Sequence, residues 1–266
     1  MNTKNDNNSN NRALSPLQDQ LLRRAEARAA GMIMAQAKQM MNTMVDYKEL
    51  MTMYACAMKQ VRTKFEVLDS EFNVRYQRNP INAINTRLKK TASIIEKLSR
   101  KHKAFTCRDI EENLFDVAGV RVICSYSDDI YRIADAFLSQ DDVTLIRKKD
   151  YIAEPKENGY RSLHLIVKVP VYFSEMKKDM AVEVQIRTIA MDFWANLEHQ
   201  LKYKQEIPDQ TAIVKELKTC ADVLAGTDDK MLSLRTRIEK MEDTQESDSD
   251  VLLEKLSKLD IAIDQP

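Results

Sequence analysis

Net charge, paired cysteines and long apolar segments are all missing from this sequence of 266 residues. Its 41 lysine and arginine residues balance 41 aspartate and glutamate residues, so no overall field draws the chain toward nucleic acid or a membrane. A site for a polyanion must therefore be a local cluster of basic residues. No apolar run approaches the roughly 20 residues that a membrane helix needs, and the asparagine-rich start lacks the apolar core of a signal peptide.

Cysteine and histidine are scarce, which argues against a zinc site. The four cysteines are far apart, and none of the three histidines stands at zinc-ligand spacing from them. Scattered cysteines of this kind are typical of reduced thiols. We therefore expect a cytoplasmic protein with no membrane partner.

The N-terminal part of the chain has helical composition. Residues 1–15 are polar and of low complexity, which predicts a disordered tail. Residues 16–72 are rich in Ala, Met, Leu, Gln, Lys and Glu and predict two or more helices. Eight of the 14 methionines lie between Met32 and Met58, a pattern more typical of adaptable core or subunit contact than of a cofactor site.

Residues 73–205 have the pattern of an α/β (α+β) domain, with a mixed sheet flanked by helices. Ser93 and Glu96 form a capping-box pattern, which predicts the start of a short basic helix. Strand-like and helical runs alternate after it: strands at 120–126, 143–148, 162–170 and 181–188, helices at 128–140 and 188–204.

Residues 206–266 return to helical composition. Apolar residues at three-to-four spacing from Ile213 to Met241 predict a packing stripe, which serves either an oligomer contact or an intramolecular helix pair. An acidic break at 242–250 separates this helix from a last short amphipathic one.

Two strands carry polar residues in patterns that suggest a site. In "AVEVQIRT", alternation places Val182, Val184 and Ile186 on one face and the acid, amide and base of the strand on the other. An edge strand with a solvated face explains the same pattern. The polar residues of this strand are Glu183, Gln185 and Arg187.

An aspartate precedes the strand in "FDVAGVRVIC". In a regular strand Asp116 and Arg121 point to opposite faces, so a shared site requires a bulge at Gly119 or a strand that starts after it. An aspartate that only ends a turn is the alternative. Two carboxylates on neighbouring strands suit Mg²⁺, whose remaining ligands are water and phosphate oxygens.

Basic residues that could bind phosphates form two clusters along the chain. Basic clusters usually form solvated surface. They indicate a phosphate site only if they lie beside the carboxylates. The first cluster is Arg87, Lys89, Lys90, Lys97, Arg100, Lys101 and Lys103, and the second is Arg147, Lys148, Lys149, Lys156 and Arg161.

The stretch "EPKENGYRSLHL" places one of only four glycines among residues that suit a nucleotide. Gly159 permits a positive φ or a close backbone approach. Tyr160 offers a π-face for a purine base, and neighbouring cations suit phosphates. A hairpin loop with a surface tyrosine also explains the glycine, but it gives no role to His164.

These motifs together resemble the synthetase domain of RelA/SpoT homologues, most of all the single-domain small alarmone synthetases. The resemblance rests on "RLKKTASIIEKLSRK", "DVAGVRVIC", "KENGYRSLHL" and "EVQIRTIAMDFWANLEH", and it spans about residues 72–205. It implies a nucleotidyltransferase-like fold with helical extensions. It also implies a GTP pyrophosphokinase, which transfers the β,γ-diphosphate of ATP to the 3′-hydroxyl of GDP or GTP and yields AMP and ppGpp or pppGpp.

The resemblance also implies roles for twelve residues. Asp116 and Glu183 hold Mg²⁺ and form the catalytic centre. Lys149 stands where the family often has arginine, so this position keeps the charge but loses the bidentate fork. The implied ATP-binding residues are Arg87, Lys89, Lys97, Arg100, Arg121 and Lys149, and the implied GDP- or GTP-binding residues are Lys156, Tyr160, His164 and Gln185.

Further expectations concern activity and assembly. No histidine–aspartate pair of the family's hydrolase domain is present, so we expect synthesis without hydrolysis. Helical flanks are similar to those through which small synthetases form tetramers, which predicts a homotetramer. A related toxin-type enzyme acting on adenine nucleotides or tRNA, and a non-catalytic nucleotide- or RNA-binding sensor, are the alternatives.

Overall fold

The computed structural model describes residues 16–203 and 210–245, which form six helices and five strands. The predicted tail at 1–15 and the predicted last helix after the acidic break lie outside these residues. The helices are α1 (Pro16–Tyr76), α2 (Thr91–Arg100), α3 (Cys107–Asn113), α4 (Ser127–Leu138), α5 (Ile189–Tyr203) and α6 (Gln210–Gln245). The strands are β1 (Ile81–Leu88), β2 (Ala118–Cys124), β3 (Thr144–Asp150), β4 (Leu163–Tyr172) and β5 (Lys177–Thr188).

Helix α1 is one continuous helix of 61 residues, so the prediction of two or more helices was wrong. Proline occurs only at its first position, where a missing N–H is tolerated, and Gly31 alone is too weak a breaker to end it. The chain divides into two compact units between Met51 and Thr52. In the first unit, five methionines of α1 are 64–74% exposed: Met32, Met34, Met40, Met41 and Met44.

In the second unit, the remainder of α1 contributes an apolar stripe to the core. Its buried residues recur at three-to-four spacing, as expected for one helix face. Phe65 stacks on Phe137 of α4, with ring centroids 4.4 Å apart. The stripe consists of Tyr54, Ala57, Val61, Phe65, Leu68 and Phe72.

The five strands form one mixed sheet in the order β1-β2-β5-β4-β3. β2 and β5 are parallel, and every other neighbouring pair is antiparallel. β5 is therefore the central strand, and the edge-strand interpretation of "AVEVQIRT" was wrong. Its Val182, Val184 and Ile186 are fully buried, which confirms the predicted inward face.

Two elements and one helix start differ from the sequence predictions. β1 was not predicted because its sequence, "INAINTRL", is mostly polar and buries only Ile81, as suits the edge of a sheet. The short helix α3 was also missed; Thr106 caps it by accepting a hydrogen bond from the backbone N–H of Asp109 at 3.0 Å. The capping-box prediction was wrong, because α2 begins at Thr91 and Ser93 lies inside it.

The domain bounds at 72/73 and 205/206 remain predictions. Helix α6 runs to Gln245 and so continues into the predicted acidic break. All four cysteines are free, in agreement with the predicted reduced thiols. Among the residues described, no helix is both long and apolar enough to span a membrane.

Helix α6 makes several polar contacts with the sheet domain. Thr188, at the end of β5, donates its hydroxyl hydrogen to Asp228 at 2.6 Å. The Trp194 indole donates to the backbone carbonyl of Leu217 at 2.9 Å. At the other end, Arg235 binds Asp128 of α4 at 2.7 Å.

Gly159 lies directly beneath α6, and its position explains why this residue must be glycine. Its φ is +86°, which L side chains rarely adopt. A Cβ added here lies 2.5 Å from the Cβ of Ala221 and 3.1 Å from the Cα of Lys218. The loop that carries "KENGY" therefore needs glycine both for its own turn and for contact with the helix.

We expect Gly159→Ala to destabilise the protein. The left-handed backbone alone costs about 1–2 kcal/mol for a residue with a Cβ, and the overlap with Ala221 adds to it. Gly226→Ala is the matched control, because this glycine lies within α6 with open space around it. The control should raise helix stability by about 0.5–1 kcal/mol. Urea unfolding of both variants tests this, and equal midpoints would contradict it.

Candidate active site

On one face of the sheet, mostly polar residues form two rows that cross all five strands. Paired residues of neighbouring strands point to the same face, so the register defines each row. The first row is Arg87, Gly119, Glu183, Ile166 and Arg147, from β1 to β3. The second row is Asn85, Arg121, Gln185, His164 and Lys149.

Two cavities open on this face, and Asp116 and Glu183 line both of them. The first, of about 370 Å³, lies over β1, β2 and β5; Gly119 contributes no side chain, which leaves its floor open between Arg87 and Glu183. The second, of about 330 Å³, lies toward β3 and β4. The two carboxylates therefore form a shared wall between two cavities.

Asp116 stands in the segment before β2, which begins at Ala118. It therefore lies outside the strand alternation, and neither a bulge at Gly119 nor a strand start after that glycine is needed to bring it near Arg121. Its Oδ2 accepts hydrogen bonds from Lys89 at 2.8 Å and Lys97 at 2.7 Å. Its Oδ1 is buried and has no hydrogen-bond partner.

The two lysines keep Asp116 ionised. Burial alone raises the pKa of this carboxyl, but the hydrogen bonds and charges of Lys89 and Lys97 outweigh it and leave the pKa below its ordinary value. A charged carboxylate with one oxygen that has no hydrogen-bond partner is suited to a cation.

Glu183 is held in its charged form by its neighbours on the same face. Burial raises its pKa, but His164 and the Gln185 amide outweigh this and lower it, while the charge of Asp116 opposes them. The Gln185 amide donates to Oε2 at 3.1 Å. The Oε1 atom lies 3.6 Å from Nδ1 of His164.

These two carboxylates are the candidate metal ligands. Within the described residues, no group of three or more His, Cys, Asp or Glu side chains could hold a metal. Mg²⁺ needs only one or two carboxylates when water and phosphate complete its shell. The unpartnered Oδ1 of Asp116 and the adjacent Glu183 fit that requirement.

The second cavity is lined mainly by cations and aromatic rings. Five basic side chains converge there, which suits a polyanionic ligand. Tyr151 and His164 form part of the wall, with ring centroids 5.2 Å apart. The basic residues are Lys97, Lys101, Arg147, Lys149 and Lys156.

Tyr160 is half-buried, unlike the surface tyrosine of a plain hairpin loop. Its hydroxyl bonds Nε2 of His164 at 2.8 Å. The Lys156 ammonium lies 4.8 Å and the Arg187 guanidinium 5.6 Å from its ring centroid. The ring also borders a large open cavity of about 710 Å³, together with Asn158.

A model of the family described as "Region found in RelA / SpoT proteins" matches residues 86–208. The chain is 40% identical to GTP pyrophosphokinase YwaC of Bacillus subtilis over 198 residues, which cover 74% of this chain and 93% of that protein.

The chain belongs to the RelA/SpoT family.

Solved structures of family members agree with this assignment. The small alarmone synthetase 2 of Bacillus subtilis superposes with a TM-score of 0.66 at 39% identity, covering 72% of this chain and 99% of that one. The small alarmone synthetase 1 of the same organism, bound to its product pppGpp, gives a TM-score of 0.66 at 32% identity, covering 73% and 98%. The resemblance and the α+β fold class predicted from sequence are confirmed.

Ten of the twelve site residues predicted for this RelA/SpoT family member line the two cavities. Tyr160 lies beside them, and the exposed Arg100 lines neither and pairs with Glu96 at 3.5 Å. The first cavity contains Arg87, Lys89, Asp116, Arg121, Glu183 and Gln185. The second contains Asp116 and Glu183 again, with Lys97, Lys149, Lys156 and His164. The ligand that each residue binds remains a prediction.

Sequence analysis missed several residues that line the cavities. Asn85 and Thr86 belong to the unpredicted strand β1. Tyr151 lies just after β3, in a segment with no motif of its own. Arg147 was named in the second basic cluster but was given no role in the site. It lies two residues before Lys149 on β3, so strand alternation could have placed both side chains on the same face.

We expect Asp116→Asn to lower the free energy of unfolding of the metal-free protein at pH 7. The amide cannot neutralise Lys89 and Lys97, and the loss of charged hydrogen bonds costs about 1–3 kcal/mol. Because folding lowers the pKa of Asp116 from 3.8, its stabilisation is present above pH 3.8 and is lost as the pH falls through the lower folded value. The difference from wild type should therefore shrink in acid.

Denaturant unfolding with EDTA at several pH values measures this difference. Glu96→Gln is the control, because this exposed carboxylate pairs with the exposed Arg100 at 3.5 Å; its effect should stay within about 0.5 kcal/mol. Equal stability of Asp116→Asn and wild type at pH 7 would refute the prediction.

Proposed function

We propose that this protein is a GTP pyrophosphokinase that makes ppGpp and pppGpp. It transfers the β,γ-diphosphate of ATP to the 3′-hydroxyl of GDP or GTP and releases AMP, without a hydrolase activity. The observation that supports this most directly is the wall formed by Asp116 and Glu183 between two cation-lined cavities. A donor nucleotide and an acceptor nucleotide can then meet at the carboxylates.

The chemistry requires positioning and charge neutralisation rather than a covalent nucleophile. Arg87, Lys89 and Arg121 line the first cavity, where we place ATP. Lys97 reaches the same aspartate as Lys89, and its charge serves the transferred diphosphate at the boundary. These cations oppose the negative charge of the phosphates and hold the donor against the wall.

Asp116 and Glu183 are suited to hold Mg²⁺ when nucleotide binds. The ion supplies electrostatic neutralisation of the phosphate oxygens during transfer. Glu183, kept ionised by its neighbours, is also the candidate to accept the proton of the acceptor hydroxyl.

We place the acceptor in the second cavity and the open cavity beside Tyr160. Lys149 pairs with His164 in the strand register, so we assign it to the acceptor phosphates rather than to ATP. Lys156 lines both cavities. Tyr160 borders the larger one, where a guanine base can contact its ring; base–aromatic stacking contributes about 1–3 kcal/mol.

A direct assay of acceptors tests this function. Purified protein is incubated with Mg²⁺, labelled ATP and, in separate reactions, GMP, GDP, GTP, ADP or bulk tRNA, and the products are separated by anion exchange. We expect release of AMP and a guanine nucleotide that carries an extra diphosphate. Transfer only to ADP or tRNA would indicate a toxin-type enzyme, and nucleotide binding without transfer would indicate a sensor.

Glu183→Gln should lower kcat for this transfer at least about 100-fold, within the range for loss of a general base. The amide keeps the shape of the side chain but cannot accept the proton or bind the cation as a carboxylate does. Glu66→Gln is the control and should keep full activity, because Glu66 is exposed on α1 and pairs with Arg62 at 2.7 Å. Unimpaired turnover of Glu183→Gln would remove this residue from the site.

We propose further that the protein acts as a homotetramer in the cytoplasm and that α6 provides subunit contacts. Four apolar side chains at three-to-four spacing are exposed on this helix, and an apolar surface of this kind is suited to helix packing. They are Met231, Leu234, Ile238 and Met241. RNA can bind such a basic site weakly, but no RNA partner is part of the proposal.

Ile238→Lys should therefore reduce the assembly size measured by light scattering, since it places a charge within the proposed contact. Ser233→Lys is the control, because it adds the same charge at an exposed polar position of α6. A wild-type protein that is monomeric at all concentrations would contradict the proposal.

A further inference from the structure

Arg187 is a buried cation that none of the predicted roles includes. It lies at the C-terminal part of β5, on the site face, and is only 2% exposed. Burial lowers its pKa, and its Nε has no hydrogen-bond partner. Burying a guanidinium is costly, so its retention calls for a specific contribution from its contacts.

The contacts of Arg187 belong to a ring of side chains around Glu183. Its Nη2 donates to Oε1 of Gln185 at 2.5 Å and to the Tyr160 hydroxyl at 3.1 Å. The Gln185 amide donates to Oε2 of Glu183 at 3.1 Å. On the other side, the Tyr160 hydroxyl bonds Nε2 of His164 at 2.8 Å, and the imidazole Nδ1 lies 3.6 Å from Oε1 of Glu183, which is too long for a hydrogen bond. One arm of the ring thus ends in a hydrogen bond to the carboxylate, and the other ends close to its second oxygen.

The chemistry of arginine fixes the direction of both arms. A guanidinium only donates hydrogen bonds, so Gln185 must turn its oxygen to Arg187 and its NH₂ to Glu183. Tyr160 accepts from Arg187, and burial raises its pKa so that the hydroxyl keeps a proton to donate. That proton goes to Nε2 of His164, which leaves the imidazole hydrogen on Nδ1, toward Glu183.

We propose that Arg187 is a positioning residue for Glu183, because it sets the amide orientation of Gln185 and, through Tyr160, the tautomer of His164. Glu183 then accepts a hydrogen bond from Gln185 at Oε2 and has the Nδ1–H of His164 near Oε1, and both neighbours favour its position at the wall between the cavities. The proposal rests on the proposed function only for its kinetic consequence. Its structural content, the His164 tautomer, can be measured without any substrate.

Asp192 connects this ring to the first cavity. Its Oδ1 lies 3.5 Å from Nη1 of Arg187 and 3.3 Å from Nη1 of Arg121. The Asp192 carboxylate thus contacts two like charges. The charge of Arg121 lowers the pKa of Arg187, and the charge of Asp192 opposes that effect. Asp192 thereby holds the guanidinium of Arg187 with its Nη2 free to serve both arms.

The test compares four variants of the full chain. Arg187→Met removes both arms, Arg187→Lys keeps the charge but not the fork, and Tyr160→Phe removes only the arm that leads to His164. Arg108→Met is the control, because this arginine pairs with Glu112 within α3 at 2.8 Å and lines neither of the two cavities.

The first readout is ¹⁵N NMR of the histidine side chains in nucleotide-free protein, at a pH well above the ordinary pKa of imidazole. The chain has three histidines, so the His164 signals can be assigned by substitution. We expect the Nδ1–H tautomer in wild type and in Arg108→Met. Tyr160→Phe and Arg187→Met should both lose this preference.

The second readout is kcat and KM for diphosphate transfer to GDP. Loss of a supporting contact of this type typically costs about 10- to 100-fold in activity. We expect a loss of that size in kcat for Arg187→Met, a smaller one for Arg187→Lys and Tyr160→Phe, and none for Arg108→Met. If Arg187 had a purely structural role, its variants would be less stable, but their kcat values would not follow this order.

Several outcomes overturn the proposal. The proposal is wrong if His164 has the Nε2–H tautomer in wild type, or if the tautomer is unchanged in Tyr160→Phe. It is also wrong if Arg187→Met keeps the kcat of wild type. If Arg187→Met does not fold, Tyr160→Phe and Arg187→Lys decide the question. An inactive wild-type protein contradicts the proposed function, whereas the NMR result still tests the positioning.

Discussion

The parallel pairing of β2 with β5 is the constraint on which the site depends. It places Gly119 beside Glu183 and Arg121 beside Gln185. A shift of one residue in this register would turn Glu183 to the buried face and Val184 to the cavity. The apolar face prevents that shift, because Val182, Val184 and Ile186 are fully buried. Packing of the core therefore secures the position of the charged residues.

The site concentrates charge in a chain whose formal net charge is zero. The carboxylates lie where basic side chains surround them, so each sign stabilises the other, and Asp116 with its two lysines is the clearest case. Such an arrangement suits a polyanion, which can take over the lysines as partners while a cation takes over the carboxylate. Contacts between Asp116 and its two lysines can therefore be replaced by contacts to ligands.

Much of the fold and site could be predicted from sequence, for reasons that differ by element. β5 was predictable because its alternation is regular, and its functional side chains follow from that alternation. β1 was not, since an edge strand with few buried residues has little pattern of its own. The importance of Arg187 was also hidden: alternation indicated its face, but its burial depends on Tyr160 and Asp192, which come from a loop and a helix.

The contact between Gly159 and α6 joins the loop that carries "KENGY" to the C-terminal helix within one chain. The backbone of this loop packs against Ala221 and Lys218, so each segment loses packing surface when the other moves away. Such segments unfold together as one cooperative unit. The backbone amides around Tyr160 should then exchange with solvent in step with those of α6, so the local stability of this loop depends on a helix more than 50 residues away in sequence.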